Sequence, residues 1–466
     1  MADFPESNPY RSPLQSPVGD LSRPWYREVN RYQWFVLMVA ALGWLFDCLD
    51  QQLFTLARRP AMIALLHGPN GTPPPNELID GYAGYATSIF LIGWASGGLI
   101  FGVLGDRIGR AKTMLWTILL YSMFTGLSAL STGFWDFAAY RFLTGLGVGG
   151  EFAVGVSLVA ETMPDRARPF ALALLQALST VGNVSAALIN MGLGRLIDSA
   201  HAWRYMFVVG TLPAMMAVVV FRYLKEPERW QAAARAEGVK RKLGSYAELF
   251  GDPRWRRNAI VGLLLAFSGV VGLWGIGFFT VDLMHSVLMK QFQAEGLTGQ
   301  PLSSAVTWWT GMTSMMQNIG GFFGVWAFSR GTHAIGRKPT FAIAFTLAAA
   351  STAWVFWQID HTSQIFWMVP IMGFCQLALF GGYAIYFPEL FPTRLRSTGT
   401  SFCYNVGRFV AASGPFALGM LTSHVFNGYP EPLPLRYAGV SMCAIFLVGL
   451  VVIPFAPETR GKPLPE

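Results

Sequence analysis

Asp, Glu, Lys and Arg are spaced along this chain so that they leave long stretches with no charge at all. Charge-free runs cover residues 81–105, 114–135, 169–194, 205–221, 259–281, 339–359, 362–388 and 437–457, and another lies within 296–329. A helix needs about 20 predominantly apolar residues to cross the hydrocarbon core of a bilayer, and these runs fit that length. Three further apolar stretches, at 34–57, 136–160 and 397–421, are interrupted by charge. The spacing therefore predicts twelve membrane-spanning helices. Outer-membrane strands would alternate polar and apolar residues over about ten positions, and no such alternation is present. Composition points the same way: charged residues make up 13% of the chain, about half the roughly 25% usual in soluble domains. A soluble enzyme, a disordered chain and a disulfide scaffold are excluded, the last because Cys48, Cys375, Cys403 and Cys443 all lie in apolar stretches.

Positive charge sets the orientation, since Lys and Arg concentrate on the cytoplasmic side of short loops. Of the 34 Lys and Arg, only Arg58, Arg59, Arg195, Arg204, Lys290 and Arg436 fall on the far side, and Arg141 and Arg408 lie inside spans. Both termini are therefore expected in the cytoplasm, and a bacterial inner membrane is the expected location. Residues 1–33 are polar and proline-rich without an apolar core, which reads as a cytoplasmic tail and not a cleaved leader. The net charge of +8 reflects this sidedness, so nucleic acid is not an expected partner. The connection at 225–257, with Lys240, Arg241, Lys242, Arg254, Arg256 and Arg257, suits contact with anionic lipid headgroups.

The two halves of the chain echo each other. Glu161, Pro164, Arg166 and Arg168 recur as Glu389, Pro392, Arg394 and Arg396, both in the pattern E-x-x-P-x-R-x-R. Gly109-Arg110 recurs as Gly336-Arg337, and Glu226-Pro227-Glu228 echoes Pro457-Glu458-Thr459. The expected architecture is all-α: a tail (1–33), a six-helix bundle (34–224), the basic connection (225–257), a second six-helix bundle (258–456) and a short tail (457–466). Such pseudo-symmetric halves suit a carrier with its site at their interface.

These residues also carry a family resemblance. The run Gly102-Val103-Leu104-Gly105-Asp106-Arg107-Ile108-Gly109-Arg110 resembles the loop between the second and third helices of the major facilitator superfamily. Arg141-Phe142-Leu143-Thr144-Gly145-Leu146-Gly147-Val148-Gly149-Gly150 is similar to that superfamily's fourth-helix motif. Asp47-Cys48-Leu49-Asp50 resembles the first-helix motif of its proton symporters for aromatic acids, sialic acid and related organic anions. The stretch Phe402 to Arg408 is similar to their eleventh helix. Pro388-Glu389-Leu390-Phe391-Pro392 and Pro457-Glu458-Thr459-Arg460-Gly461 resemble sugar-porter signatures instead. Cys48 stands where the symporters have Gly, and His333 where the second loop would have Asp. The resemblance implies a cytoplasmic gate made by Asp106, Arg107, Arg110 and Glu161, with Arg337 and Glu389 as counterparts in the second half.

Charge inside a bilayer costs at least about 2.5–3.5 kcal/mol per residue, so each instance needs a partner or a role. Five residues qualify: Asp47, Asp50, Arg141, Glu151 and Arg408. Asp47 and Asp50 are spaced i, i+3 and share a helix face. An ion pair between Arg141 and one aspartate would leave the other crowded and partly desolvated, suited to taking up a proton. Glu151 reads equally as a relay or a packing contact. Arg408 sits near mid-span with a charge it cannot shed, which suits either an organic carboxylate or an internal salt bridge, for instance with Glu151. Asn405, Gln317, Gln376 and Trp274 are candidate substrate contacts. Gln176, Asn183 and Asn318 are further mid-span polar groups, of the kind that most often join helices. There is no Cys-x-x-Cys, His-Glu-x-x-His or Walker motif, so no metal, cofactor or ATP-driven chemistry is expected. The expectation is a monomeric carrier coupling an organic anion to protons. A sugar or polyol symporter is the alternative, and a nutrient sensor on the same fold is a third reading.

Overall fold

The computed structural model describes residues 24–66, 76–196, 199–235, 243–276, 280–411, 420–426, 428–430 and 432–465. Among them the chain is helical throughout, with no strand. The first half comprises α1 (Arg31–Leu65), α2 (Asn76–Ile108), α3 (Arg110–Ser128), α4 (Phe134–Thr162), α5 (Arg168–Leu196) and a broken traverse of α6 (Ser199–Val209) and α7 (Ala214–Tyr223). Two short helices follow, α8 (Glu228–Arg235) and α9 (Tyr246–Gly251). The second half comprises α10 (Pro253–Val271) continued by α11 (Thr280–Ala294), then α12 (Gly299–Ile335), α13 (Arg337–Gln358), α14 (Thr362–Ile365) with α15 (Met368–Leu390), α16 (Arg396–Ala411), and α17 (Leu433–Met442) with α18 (Ile445–Val452). Taken as traverses, these helices form two bundles of six. By length and apolarity alone, 8 of them qualify as membrane spans.

Arg254, Arg256 and Arg257 belong to the first turns of α10 and not to the connection before it. The Asp252 carboxylate accepts the backbone N–H of Arg254 at 2.8 Å, and Pro253 occupies the first helical position. An Asp cap followed by Pro starts a helix strongly, whatever charge comes after it. Lys240, Arg241 and Lys242 lie outside the described residues.

Glycines set how closely the helices meet, and they repeat between halves. A Cβ on Gly97 would stand 2.0 Å from the Leu146 carbonyl oxygen, and one on Gly149 1.9 Å from that of Trp94, so α2 and α4 touch backbone to backbone. In the second half Gly324 and Gly373 play the same part for α12 and α15, against Phe374 and Gln317, each at 2.0 Å. Small residues spaced by four are the means by which bilayer helices approach closely. The halves meet along two seams. Gly98, Gly102 and Gly105 of α2 seat Asn405, Ser401 and Ser397 of α16. On the other seam, Asn183 of α5 donates to Asn318 of α12 at 2.9 Å.

Candidate functional site

α1 carries Asp47 and Asp50 into the interior of the first half, where both are buried. Arg141 of α4 lies 3.6 Å from Asp50. Its guanidinium also donates to the Ser128 hydroxyl at 2.8 and 3.0 Å and to Thr144 at 3.0 Å, and it lies 4.6 Å over the Phe207 ring. Asp50 accepts in addition from the Thr125 hydroxyl at 2.7 Å. Asp50 is thus the aspartate that pairs with Arg141. Asp47, one turn away and equally buried, has no hydrogen-bond partner on either oxygen among the described residues. Glu151, deeper in α4, accepts from Thr117 at 2.6 Å through one oxygen and leaves the other unpartnered. That carboxyl presses on α1 at Gly43, where a Cβ would come within 2.3 Å of it.

Arg408 enters from the other half. Its Nη1 donates to Asn405 at 2.9 Å, its Nε has no partner, and its guanidinium lies 3.9 Å over the ring of Trp94 and 4.2 Å over that of Tyr404. Among the described residues it forms no ion pair, with Glu151 or any other carboxylate. Cation–π contact with two rings offsets part of the cost of burying it, and Asp47 of α1 interacts with it electrostatically. Tyr404 itself stacks on Phe152 of α4 at 4.1 Å, so aromatic rings from both halves pack around Arg408.

The remaining candidate contacts are arranged differently. Gln317 donates to Gln376 at 3.1 Å, and Gln376 donates to Thr352 at 2.7 Å. These amides tie α12, α15 and α13 together, as interhelical glue does. The side chain of Trp274 lies outside the described residues. Tyr383 and Tyr386 spend their hydroxyls on the carbonyls of Leu265 and Pro457, both at 2.7 Å.

At the end of the molecule where Trp25 and Pro465 lie, the seam is shut by charge. Asp106 accepts from the backbone N–H of Ser397 (3.1 Å) and Thr398 (2.8 Å) and from the Thr398 hydroxyl (2.6 Å), at the positive end of α16. Arg110 lies 2.9 Å from Asp106 and 2.8 Å from Glu161. Glu161 also pairs with Arg396 of the opposite half at 2.8 Å. Arg107 donates to the Leu243 carbonyl at 3.2 Å. The second half repeats the unit, with Arg337 on Glu389 at 2.7 Å. Gly109 and Gly336 have φ of 113° and 100°, a left-handed region that favours glycine. Each opens a helix whose first N–H groups are capped from a distant carboxylate, Glu226 on Arg110 at 2.7 Å and Glu458 on Arg337 at 3.0 Å. Burial alone would push the Glu458 carboxyl up, but backbone N–H donors from Arg337, Arg460 and Lys338 hold it below its ordinary value. The second-half counterpart of Asp106 is His333, which packs on Phe170 at 5.5 Å instead of gripping a helix. Arg396, Glu226 and Glu458 stand in the repeated motifs, but their pairing across distance has no signal in spacing.

Similarities to known proteins agree with this geometry. The family described as sugar (and other) transporter matches residues 69–249. The chain is 31% identical over 384 residues to the cis,cis-muconate transport protein of Acinetobacter baylyi, spanning 82% of this chain and 86% of that protein. It is 27% identical over 463 residues to the niacin transporter NiaP of the same organism, spanning 94% and 96%. Among solved structures, the major facilitator superfamily proton:xylose symporter XylE matches with a TM-score of 0.73 at 16% identity, covering 93% of this chain and 98% of that one. Fold, repeat and relatives converge, and the chain belongs to the major facilitator superfamily of transporters.

Proposed function

We propose that the protein is a symporter that couples a small organic anion, a carboxylate, to protons by alternating access. The observation that carries this reading is Arg408: a buried guanidinium with no ion pair among the described residues, its Nε without a hydrogen bond there and aromatic rings beside it. A carboxylate substrate supplies the missing anion in the bidentate geometry that guanidinium favours. The relatives named above are named for cis,cis-muconate and niacin, which are both carboxylates at neutral pH.

Coupling follows from counting charges. Asp47, Asp50 and Glu151 against Arg141 and Arg408 leave one net negative charge in the membrane interior. A monovalent anion alone doubles it, which is costly in a low-dielectric site. A proton on Asp47, the aspartate with no partner, restores the original balance. Binding of each then favours the other, and the linkage is reciprocal. Asn405 orients Arg408, Gln317 and Gln376 brace the second bundle, and Trp274 stands as a further substrate contact. Asp106, Arg107, Arg110, Glu161, Arg337 and Glu389 form the gate that seals the end bearing the termini. In this reading that end is cytoplasmic, the membrane is a bacterial inner membrane, residues 34–224 and 258–456 are the moving bundles around 225–257, and one chain suffices.

Counterflow in proteoliposomes tests the assignment with a panel of radiolabelled organic acids and neutral sugars. Wild-type protein is expected to exchange an organic acid, and Arg408→Lys to lose most of that exchange because a point charge replaces a planar fork. Wild-type affinity in Arg408→Gln protein, or exchange of sugars alone, would contradict it.

A further inference from the structure

α1 and α3 both start at the gate end and run in the same direction, and each presents a polar stripe to the interior of the first half. On α1 the stripe is Gly43, Asp47 and Asp50, with Glu151 seated on Gly43. On α3 it is Thr117, Tyr121 and Thr125, at a spacing of four that keeps one helix face. The two ends of the stripes are joined by hydrogen bonds: Thr117 donates to Glu151 at 2.6 Å and Thr125 to Asp50 at 2.7 Å. These contacts fix the register and place Tyr121 level with Asp47. The phenol of Tyr121 is fully buried beside the Ser122 hydroxyl, and among the described residues neither it nor either oxygen of Asp47 makes a hydrogen bond of good geometry. Electrostatically, Tyr121 is within reach of Asp47, Glu151 and Asp50 together. The α3 backbone is held here by Gly147 of α4, where a Cβ would stand 2.7 Å from the Tyr121 nitrogen.

Two buried polar groups without partners at one level of a bilayer protein need an explanation, because an unmade hydrogen bond there costs about 1–3 kcal/mol. We propose that Tyr121 is the proton-transfer link between Asp47, which also faces Arg408, and Glu151, and that the hydroxyl face of α3 is the route by which the coupled proton moves along the first half. The step is balanced. The O–H bond of protonated Asp47 breaks as its proton passes to the phenol oxygen, while the phenol's own O–H breaks and its proton passes to the Glu151 carboxylate. The phenol begins and ends neutral. Successive residues of the stripe rise by about 6 Å, a gap that phenol rotation or one ordered water spans. Thr117 acts as a positioning residue, holding the Glu151 carboxylate at the receiving end, while Thr125 holds Asp50 on its pairing with Arg141.

This inference rests on the proton-coupled reading above. The experiment compares accumulation driven by an imposed pH difference with counterflow, which needs no net proton movement, in proteoliposomes containing wild-type, Tyr121→Phe, Thr117→Val or Thr117→Ser protein. Tyr121→Phe removes one oxygen and keeps the packing. It is expected to lower pH-driven accumulation at least tenfold while counterflow falls less than threefold. Thr117→Val should do the same more weakly, and Thr117→Ser should restore accumulation. Wild-type accumulation in Tyr121→Phe protein overturns the relay and leaves proton coupling standing. Equal loss of accumulation and counterflow overturns it too, by giving Tyr121 a structural role. If the wild-type protein itself ignores the pH difference, the coupling reading has failed and the relay with it.

Discussion

Removing the charge of Asp106 should tip the carrier open at the gate end. Its carboxylate accepts three hydrogen bonds across the seam, from the backbone of Ser397 and Thr398 and from the Thr398 hydroxyl. Asp106→Asn keeps the shape but makes every bond neutral and turns one acceptor into a donor facing another donor. Bonds to charged groups contribute about 1.5–3 kcal/mol against about 0.5–1.5 for neutral ones. Three weakened bonds therefore amount to roughly 3 kcal/mol, which at about 1.4 kcal/mol per factor of ten shifts the closed-to-open ratio about 100-fold. Arg396 on Glu161 still spans the seam, so the fold should survive. Spin labels at Ile108→Cys and Ile335→Cys report the motion, since both residues are exposed at the ends of α2 and α12, one in each half. The native Cys48, Cys375, Cys403 and Cys443 are buried and should not label. The double-labelled wild type is expected to show one dominant distance, and the Asp106→Asn variant a substantial longer population. An unchanged distribution in folded variant protein would refute the reasoning.

Further outcomes follow from the same geometry. Gly97→Ala should prevent stable assembly, because the added methyl meets the Leu146 carbonyl at 2.0 Å, whereas Gly84→Ala has nothing within 4 Å and should be neutral; the yield of monodisperse protein in detergent separates them. Glu161→Gln strips the shared partner from buried Arg110 and Arg396, a break of the kind that costs about 3–5 kcal/mol, and should lower the Tm measured in detergent by several degrees. Glu458 titrates below its ordinary value in the folded protein, so its cap on α13 is fully present above the unfolded carboxyl range and is lost as pH falls through the folded value. Glu458→Gln should accordingly lower Tm at neutral pH and leave the variant and wild type closer together below about pH 4.

The traverses were legible because charge-free runs of bilayer length allow little besides helices, and because the second half repeats the first. Boundaries were less so: Asp252-Pro253 starts α10 several residues before its apolar run, carrying three arginines into the helix. α3, α10, α12 and α16 are not among the 8 helices that qualify by length and apolarity: α10 opens on Arg254, Arg256 and Arg257, and α16 as described is 16 residues long. The spacing of Asp47 and Asp50 announced a shared face but not which one Arg141 takes. That choice depends on Thr125 reaching Asp50 from another helix, a contact between residues 75 positions apart. Hydroxyls in membrane helices ordinarily bond a carbonyl one turn back, as Thr113 does with Gly109 at 2.7 Å, so Thr117, Tyr121 and Thr125 did not stand out; their spacing by four was the available signal. That Gln317 donates to Gln376 and Gln376 to Thr352 is likewise not visible in sequence. Arg396 was visible within a repeated motif, but not as the residue that reaches across the seam to Glu161.

The central claim is that anion and proton travel together, and one measurement addresses it directly: uptake of the exchanged organic acid against its own gradient, driven only by an imposed pH difference across proteoliposomes. The account predicts accumulation when the outside is acidic, none when the pH is equal on both sides, and none in Asp47→Asn protein under the same imposed difference. Accumulation driven by an imposed sodium gradient, with no response to the pH difference in wild-type protein, would contradict it.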